Sequence, residues 1–317
     1  MRSGGGSRRA LLLTATLLGL AFSSAPFASS PPPTAPESGP IAPEPAGPIC
    51  PGVRYAPGVR TLSLPPGPVI LAPCPGGEIA YLDQGGIVVM YSNGTGNSVV
   101  YTARTSLSRP TWSPDGRSLA FRDGSQVWRI DVSLVEGRFV GSAPVALTTE
   151  EAWNPAWSPL QGEIAVTTRS PGRWSLGIIP AIGGAVQVIY LPQSGSNIFG
   201  RPGWSLDGTR IAFAEVDATG VSTIKVLDRA TLSVLSSHAL VGITGVRDVD
   251  WARTKDVVAF NDEVEQFPGK GVDLYTLDLK TGEATFVADQ AYHASWGPDD
   301  SRIVYTKSCS YGGGCTI

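Results

Sequence analysis

Histidine is nearly absent: His238 and His293 are the only two in 317 residues. That speaks against a histidine-rich metal site. No G-x-S-x-G elbow occurs. The nearest match, Gly203-Trp204-Ser205-Leu206-Asp207, lies inside a structural repeat, and no hydrolase domain is expected after the last repeat. No P-loop and no dinucleotide fingerprint is present. The four cysteines show no C-x-x-C spacing, which removes the usual signature of zinc or dithiol redox chemistry. The chain has no Lys/Arg-rich stripe and a formal net charge of −3, so nucleic acid is not an expected partner. No segment reads as a long amphipathic helix. From these absences we expect no catalytic residue, no cofactor and no metal.

Glycine (38) and proline (27) are abundant instead. With no helical pattern, that composition predicts many short strands joined by tight turns. Residues 1–30 carry Arg8 and Arg9, then an apolar run from Ala10 to Phe22, then the small-residue stretch Ser23 to Ser30. This is the pattern of a secretory signal peptide, with a retained N-terminal anchor helix as the alternative. Residues 31–58 are proline-rich and read as an extended tether or a plain spacer. In an exported chain the cysteines favour disulfides. Cys309 and Cys315 flank a glycine-rich turn, which points to pairing across a hairpin and leaves Cys50 with Cys74. Four cysteines allow three connectivities, and free thiols are the other reading.

The strongest signal is a repeat. Trp112, Trp157, Trp204, Trp251 and Trp296 are spaced 45, 47, 47 and 45 residues apart. Nine residues after each comes Phe121, Val166, Phe213, Phe260 or Tyr305. A period of roughly 40–47 residues predicts a β-propeller or another repeat array. The best-formed copy is Arg109-Pro110-Thr111-Trp112-Ser113-Pro114-Asp115-Gly116, followed by Leu119-Ala120-Phe121. Proline, aspartate and glycine in that order make a turn between two strands. A degenerate first copy has Ala72 at the tryptophan position, then Ile79-Ala80-Tyr81. Alanine stands between two larger residues in five of the six copies, a small residue suited to crowded strands near an axis. The tryptophans are expected to pack between neighbouring sheets. The expected fold class is all-β: a six-bladed β-propeller of four-stranded antiparallel blades over residues 59–317. The last copy is short, so the segment 59–64 is expected to complete it and close the ring as an N-terminal strand.

The Trp-Ser-Pro-Asp-Gly unit followed by Leu-Ala-Phe resembles the WD40-like repeat of TolB-type propellers. The likeness is strong at Trp112 and Trp204, fair at Trp157 and Trp296, and weak at Trp251, where Ala252-Arg253-Thr254-Lys255 replaces the turn. TolB itself carries an N-terminal α/β domain, and here a proline-rich stretch stands in that place. The resemblance implies an exported propeller that binds protein or peptide.

The residue three before each tryptophan is Arg109, Asn154, Arg201, Asp248 or His293. By repeat symmetry these five form a polar ring at the start of the innermost strands, near the mouth of a central channel, which reads either as a ligand-binding rim or as a rim that is polar only because it is wet. His238 falls on an outer strand and reads as a surface residue. Asp248 with Asp250, and the acidic stretch Asp262-Glu263-Val264-Glu265, raise the alternatives of calcium binding or an acid/base pair. The main expectation is a non-catalytic interaction module at the cell envelope, in the periplasm or outside the cell, with a protein or peptide partner. Its contact with membrane would be through the signal segment or an N-terminal anchor alone. The alternative is a propeller-type lyase or glycoside-acting enzyme using channel carboxylates.

Overall fold

The computed structural model describes residues 72–73, 78–160, 162–262, 272–297 and 299–307. All of them belong to the second of two units into which the chain divides, Ala46–Ile317. The signal segment, the tether, the 59–64 strand and Cys50, Cys74, Cys309 and Cys315 lie outside the described residues.

Among the described residues every regular element is a strand, and the strands form six antiparallel sheets in chain order. The first sheet holds β1 (Ala72–Pro73), β2 (Glu78–Asp83), β3 (Gly86–Tyr91) and β4 (Ser98–Thr102). The second holds β5 (Leu107–Trp112), β6 (Ser118–Asp123), β7 (Gln126–Val135), β8 (Arg138–Gly141) and β9 (Val145–Ala146). The third comprises β10 (Ala152–Trp157), β11 (Glu163–Arg169), β12 (Trp174–Pro180) and β13 (Gln187–Tyr190). The fourth comprises β14 (Asn197–Trp204), β15 (Arg210–Val216), β16 (Val221–Asp228) and β17 (Val234–Thr244). The fifth comprises β18 (Arg247–Trp251), β19 (Val257–Asn261), β20 (Leu274–Asp278) and β21 (Ala284–Ala288). The sixth holds β22 (Ala291–Trp296) and β23 (Ile303–Lys307).

The second sheet departs from the four-strand expectation. β7 runs on past its pairing with β9 and folds back as a hairpin with β8. Glu136 (φ 49°) and Gly137 (φ 77°) supply the two left-handed residues that a tight hairpin turn needs. The hairpin reaches the first sheet: Phe139 packs on Tyr91 with ring centroids 4.9 Å apart, and its N–H donates to Ser98 Oγ.

The turn chemistry follows the sequence. Asp115 and Asp207 each accept from the serine two residues earlier and from the backbone N–H two residues later. This closes the turn between the first two strands of a sheet. In the fifth sheet that aspartate is missing. Asp300 of the sixth sheet replaces it, accepting from Arg253 N, Thr254 N and Thr254 Oγ1.

The core lies between sheets. Trp112, Trp204, Trp251 and Trp296 are buried, and Trp157 is half-buried. Each packs with the alanine of the preceding copy: Trp112 with Ala80, Trp157 with Ala120, Trp204 with Ala165, Trp251 with Ala212 and Trp296 with Ala259. All five alanines are fully buried. The small residue thus lies in the same packed cluster as the next copy's indole. At the sixth copy Val304 stands in place of the alanine and packs against Ile79, Tyr81, Val88 and Met90 of the first sheet.

Candidate functional site

The first strand of the second, third, fourth, fifth and sixth sheets carries a β-bulge just before its tryptophan. The pairing slips between Ser108 and Thr111, Trp153 and Ala156, Phe199 and Gly203, Arg247 and Asp250, and Tyr292 and Ser295. All five polar-ring residues sit inside these bulges. A bulge leaves one residue unpaired and re-aims its side chain. At Asn154, Asp248 and His293 that residue is held at φ 52°, 55° and 54°. These are left-handed conformations that cost a residue with a Cβ roughly 1–2 kcal/mol in general, and less for Asn, Asp and His, which adopt them more often than other side chains.

β14 breaks the symmetry. Four of its residues span two of β15, where the other copies have three. The left-handed position moves one residue back, to Gly200 at φ 72°. Glycine is required there: a Cβ would stand 2.3 Å from Asp248 N and 2.8 Å from Asp248 Oδ1. The close approach lets Arg201 N donate to Asp248 Oδ1 at 3.0 Å. The other oxygen, Asp248 Oδ2, lies 3.4 Å from His293 Nδ1. The structure thus brings Arg201, Asp248 and His293 together from three successive sheets.

Asp250 extends the cluster. Its Oδ1 is 3.4 Å from the Arg201 guanidinium, and its Oδ2 accepts from Ser295 Oγ and Trp296 N. The side chains of Asp248, Arg201 and Asp250 are 5%, 11% and 13% exposed, against 21% for His293. Their polar atoms are largely spent on one another, and the imidazole is the part of the cluster that reaches solvent most. Asn154 stands apart from this group, with its Nδ2 donating to Thr167 Oγ1 at 3.0 Å. Arg109 lies in the β5 bulge, and its side chain is outside the described residues.

Aromatic groups and arginines adjoin the bulges. Trp153, half-buried, is covered by the Arg122 guanidinium at 3.9 Å and meets Trp174 edge-on at 5.2 Å. Burial lowers the Arg122 pKa, while Asp123 and Glu151 act to raise it. Arg247 lies 5.7 Å over Phe199. The sequence reading missed Gly200, Trp153 and Arg247 because it followed one register position. An extra residue in one copy and side chains from neighbouring positions are invisible to that rule.

His238 is on β17, the outermost strand of its sheet, as expected, and is half-buried beside Ser236 Oγ. Asp262 is buried and accepts from Asp273 N at 2.7 Å, a bond that joins the ends of its loop. Glu263, Val264 and Glu265 lie outside the described residues. Among the described residues no three His, Cys, Asp or Glu side chains gather closely enough to share a metal ion.

No protein-family model matches the chain, and no curated protein matches its sequence. Solved structures do match. TolB from Acinetobacter baumannii superposes with a TM-score of 0.58 at 16% identity, over 76% of this chain and 63% of that one. A putative TolB from Agrobacterium tumefaciens gives 0.53 at 18% identity, over 67% and 73%. An oligogalacturonate lyase in complex with manganese gives 0.51 at 15% identity, over 78% and 75%. The likeness is one of fold, and the fold is that of TolB-like β-propellers.

Proposed function

We propose that the chain is an exported six-bladed propeller that binds a protein or peptide partner at the cell envelope, through the bulged ends of its innermost strands. The carrying observation is the repeated backbone strain. Three residues with side chains occupy left-handed positions at equivalent points of three sheets, where glycine would be cheaper. Strain of this kind persists where the surrounding structure enforces it, and it concentrates at ligand-contacting sites. His293 and Asn154 offer polar contacts there, and Trp153 with Arg122 adds the aromatic and arginine pairing common in binding hot spots. Export and the tether rest on the sequence of residues 1–58. Ring closure between the sixth and first sheets is supported by the packing of Val304 on Ile79, Tyr81, Val88 and Met90.

Phage-displayed peptides selected on the intact protein test this reading. The parent should enrich a peptide family that the double variant Asn154→Ala/His293→Ala, folded by circular dichroism, fails to enrich. Identical selections on both proteins would reject the site.

A second reading, a lyase, draws on the Asp248–His293 pair at 3.4 Å and on the fold likeness to an oligogalacturonate lyase. Oligogalacturonate incubated with the protein, with and without manganese, should then give an unsaturated product that absorbs in the ultraviolet. A product formed by the parent and lost in Asp248→Asn would favour the enzyme over the binder.

A further inference from the structure

At the opposite end of β18 from its bulge lies a second concave feature that the proposed site does not use. It is an open cavity of about 400 Å³ between the fourth and fifth sheets. The β14–β15 turn (Ser205 to Asp207) and Arg210 form one side. Trp251 to Asp256 and Lys280 form the other.

This is where the repeat fails. The serine, aspartate and glycine that close this turn in the second and fourth sheets are replaced here by Ala252, Arg253, Thr254 and Lys255. The turn is held instead through its backbone by Asp300, which leaves the Arg253 side chain with no part in the turn's own hydrogen bonds. Four cationic side chains line the cavity, those of Arg210, Arg253, Lys255 and Lys280, against the carboxylates of Asp207 and Asp256. Both carboxylates are engaged. Asp207 accepts from Ser205 Oγ and Thr209 N, and Asp256 pairs with Arg210 at 2.8 Å. Lys255 lies 4.5 Å over the Trp296 ring. Arg253 is half-buried and Lys280 exposed, and neither has a carboxylate within ion-pair distance among the described residues.

We propose that this cavity binds a small phosphate-bearing anion, with Arg253 and Lys280 as its charged contacts. A guanidinium carried on a braced turn offers two parallel donors to two phosphate oxygens, and an ammonium on the facing turn adds a mobile point charge. Arg210, already stacked 4.7 Å over Trp251 and tied to Asp256, forms the wall rather than a contact. A cavity of this volume suits a small molecule, not a polymer chain. The proposal is independent of the binding surface at the other end of the sheets.

Inorganic pyrophosphate is the probe, titrated into the intact protein at about 0.15 M salt, where exposed long-range charge attraction is largely screened. Saturable heat is expected, with amide NMR shifts at Thr254, Lys255 and Asp256. Arg253→Ala should weaken binding by about tenfold or more, the loss of a charge-assisted pair. Lys280→Ala should weaken it less, and His293→Ala not at all. No saturable binding, or equal binding by the parent and Arg253→Ala, overturns the proposal. Vesicles of phosphatidylglycerol and of phosphatidylcholine separate the sources of phosphate. Sedimentation with the first alone, lost in Arg253→Ala, assigns a lipid headgroup as the carrier. Binding of pyrophosphate with no sedimentation assigns a soluble ligand.

Discussion

The Trp204 indole N–H donates to the Ala156 carbonyl oxygen at 3.0 Å. That bond crosses from the fourth sheet to the third, and the same ring packs with Ala165, Leu176 and Ile178. Trp204 is thus both an apolar wedge and a hydrogen-bonded one, whereas the buried Trp112 and Trp296 indole nitrogens have no hydrogen-bond partner among the described residues. Trp204→Ala should lower stability by ~3–5 kcal/mol, the usual cost of truncating a buried aromatic. Trp204→Phe keeps most of the packing but leaves the Ala156 oxygen unpaired, at ~1–3 kcal/mol. Urea unfolding of both variants checks the order. Equal loss in the two would mean that the hydrogen bond carries the energy and the ring does not.

The alanine opposite each indole sets a volume limit. Ala165→Val would add two methyl groups against Trp204 and should cost ~1–3 kcal/mol by overpacking. The reverse change at the sixth copy, Val304→Ala, opens a gap against the first sheet and should cost less than a buried large-to-alanine change, because Val304 is only half-buried. Thermal melts of both test whether sheet contact has one geometry at Trp204 and another at Val304.

This asymmetry shows how much of the molecule the amino-acid order makes legible. Spaced indoles and alternating Leu119-Ala120-Phe121 locate sheets and turns, because those features repeat. Each alanine meets a tryptophan 32 to 39 residues further along the chain, Ala80 with Trp112 for instance, a pairing that shows only in three dimensions. The β7–β8 hairpin is likewise hidden: it occurs in one copy alone among the described residues, so no repeat signals it, and its anchor shows only where Phe139 meets Tyr91. At the candidate site the ring positions were legible by symmetry. The union of Arg201, Asp248 and His293 was not, since it depends on the extra residue that Gly200 accommodates in β14.

Tyr101 and Asp123 give the fold a pH signature at both extremes. The Tyr101 hydroxyl donates to Asp123 Oδ2 at 2.7 Å, and Arg104 N, Thr105 N and Thr105 Oγ1 donate to the same carboxylate. Burial opposes charge on Asp123, yet these hydrogen bonds together prevail and hold its pKa below the ordinary 3.8. Burial first, and then the bond to Asp123, push the Tyr101 phenol from 10.0 to about 12. The folded state therefore binds the aspartate proton more weakly than the unfolded chain does, so that contribution is complete above pH 3.8 and lost as pH falls through the lower folded value. It binds the tyrosine proton more tightly, so stability falls as pH rises from 10.0 to about 12. Asp123→Asn should flatten the acid limb of a stability–pH curve and Tyr101→Phe the alkaline limb. Unaltered limbs in both variants would place the pH sensitivity elsewhere.

The bulge strain is open to a direct measurement at His293. Its φ of 54° is easy for glycine and costs a residue with a Cβ more, although His, like Asn and Asp, adopts it more readily than most. His293→Ala removes the imidazole and keeps the strain, whereas His293→Gly removes both. Since the two lose the same contact with Asp248, their difference isolates the backbone term, and the glycine variant should be the more stable by about 1 kcal/mol. Both should fail to enrich the peptides selected by the parent if the imidazole is a binding group. A histidine kept against that penalty then has a use the fold itself does not require. A glycine variant less stable than the alanine one would mean that the left-handed turn is not strained, and the strongest argument for a site at this end of the strands would go with it.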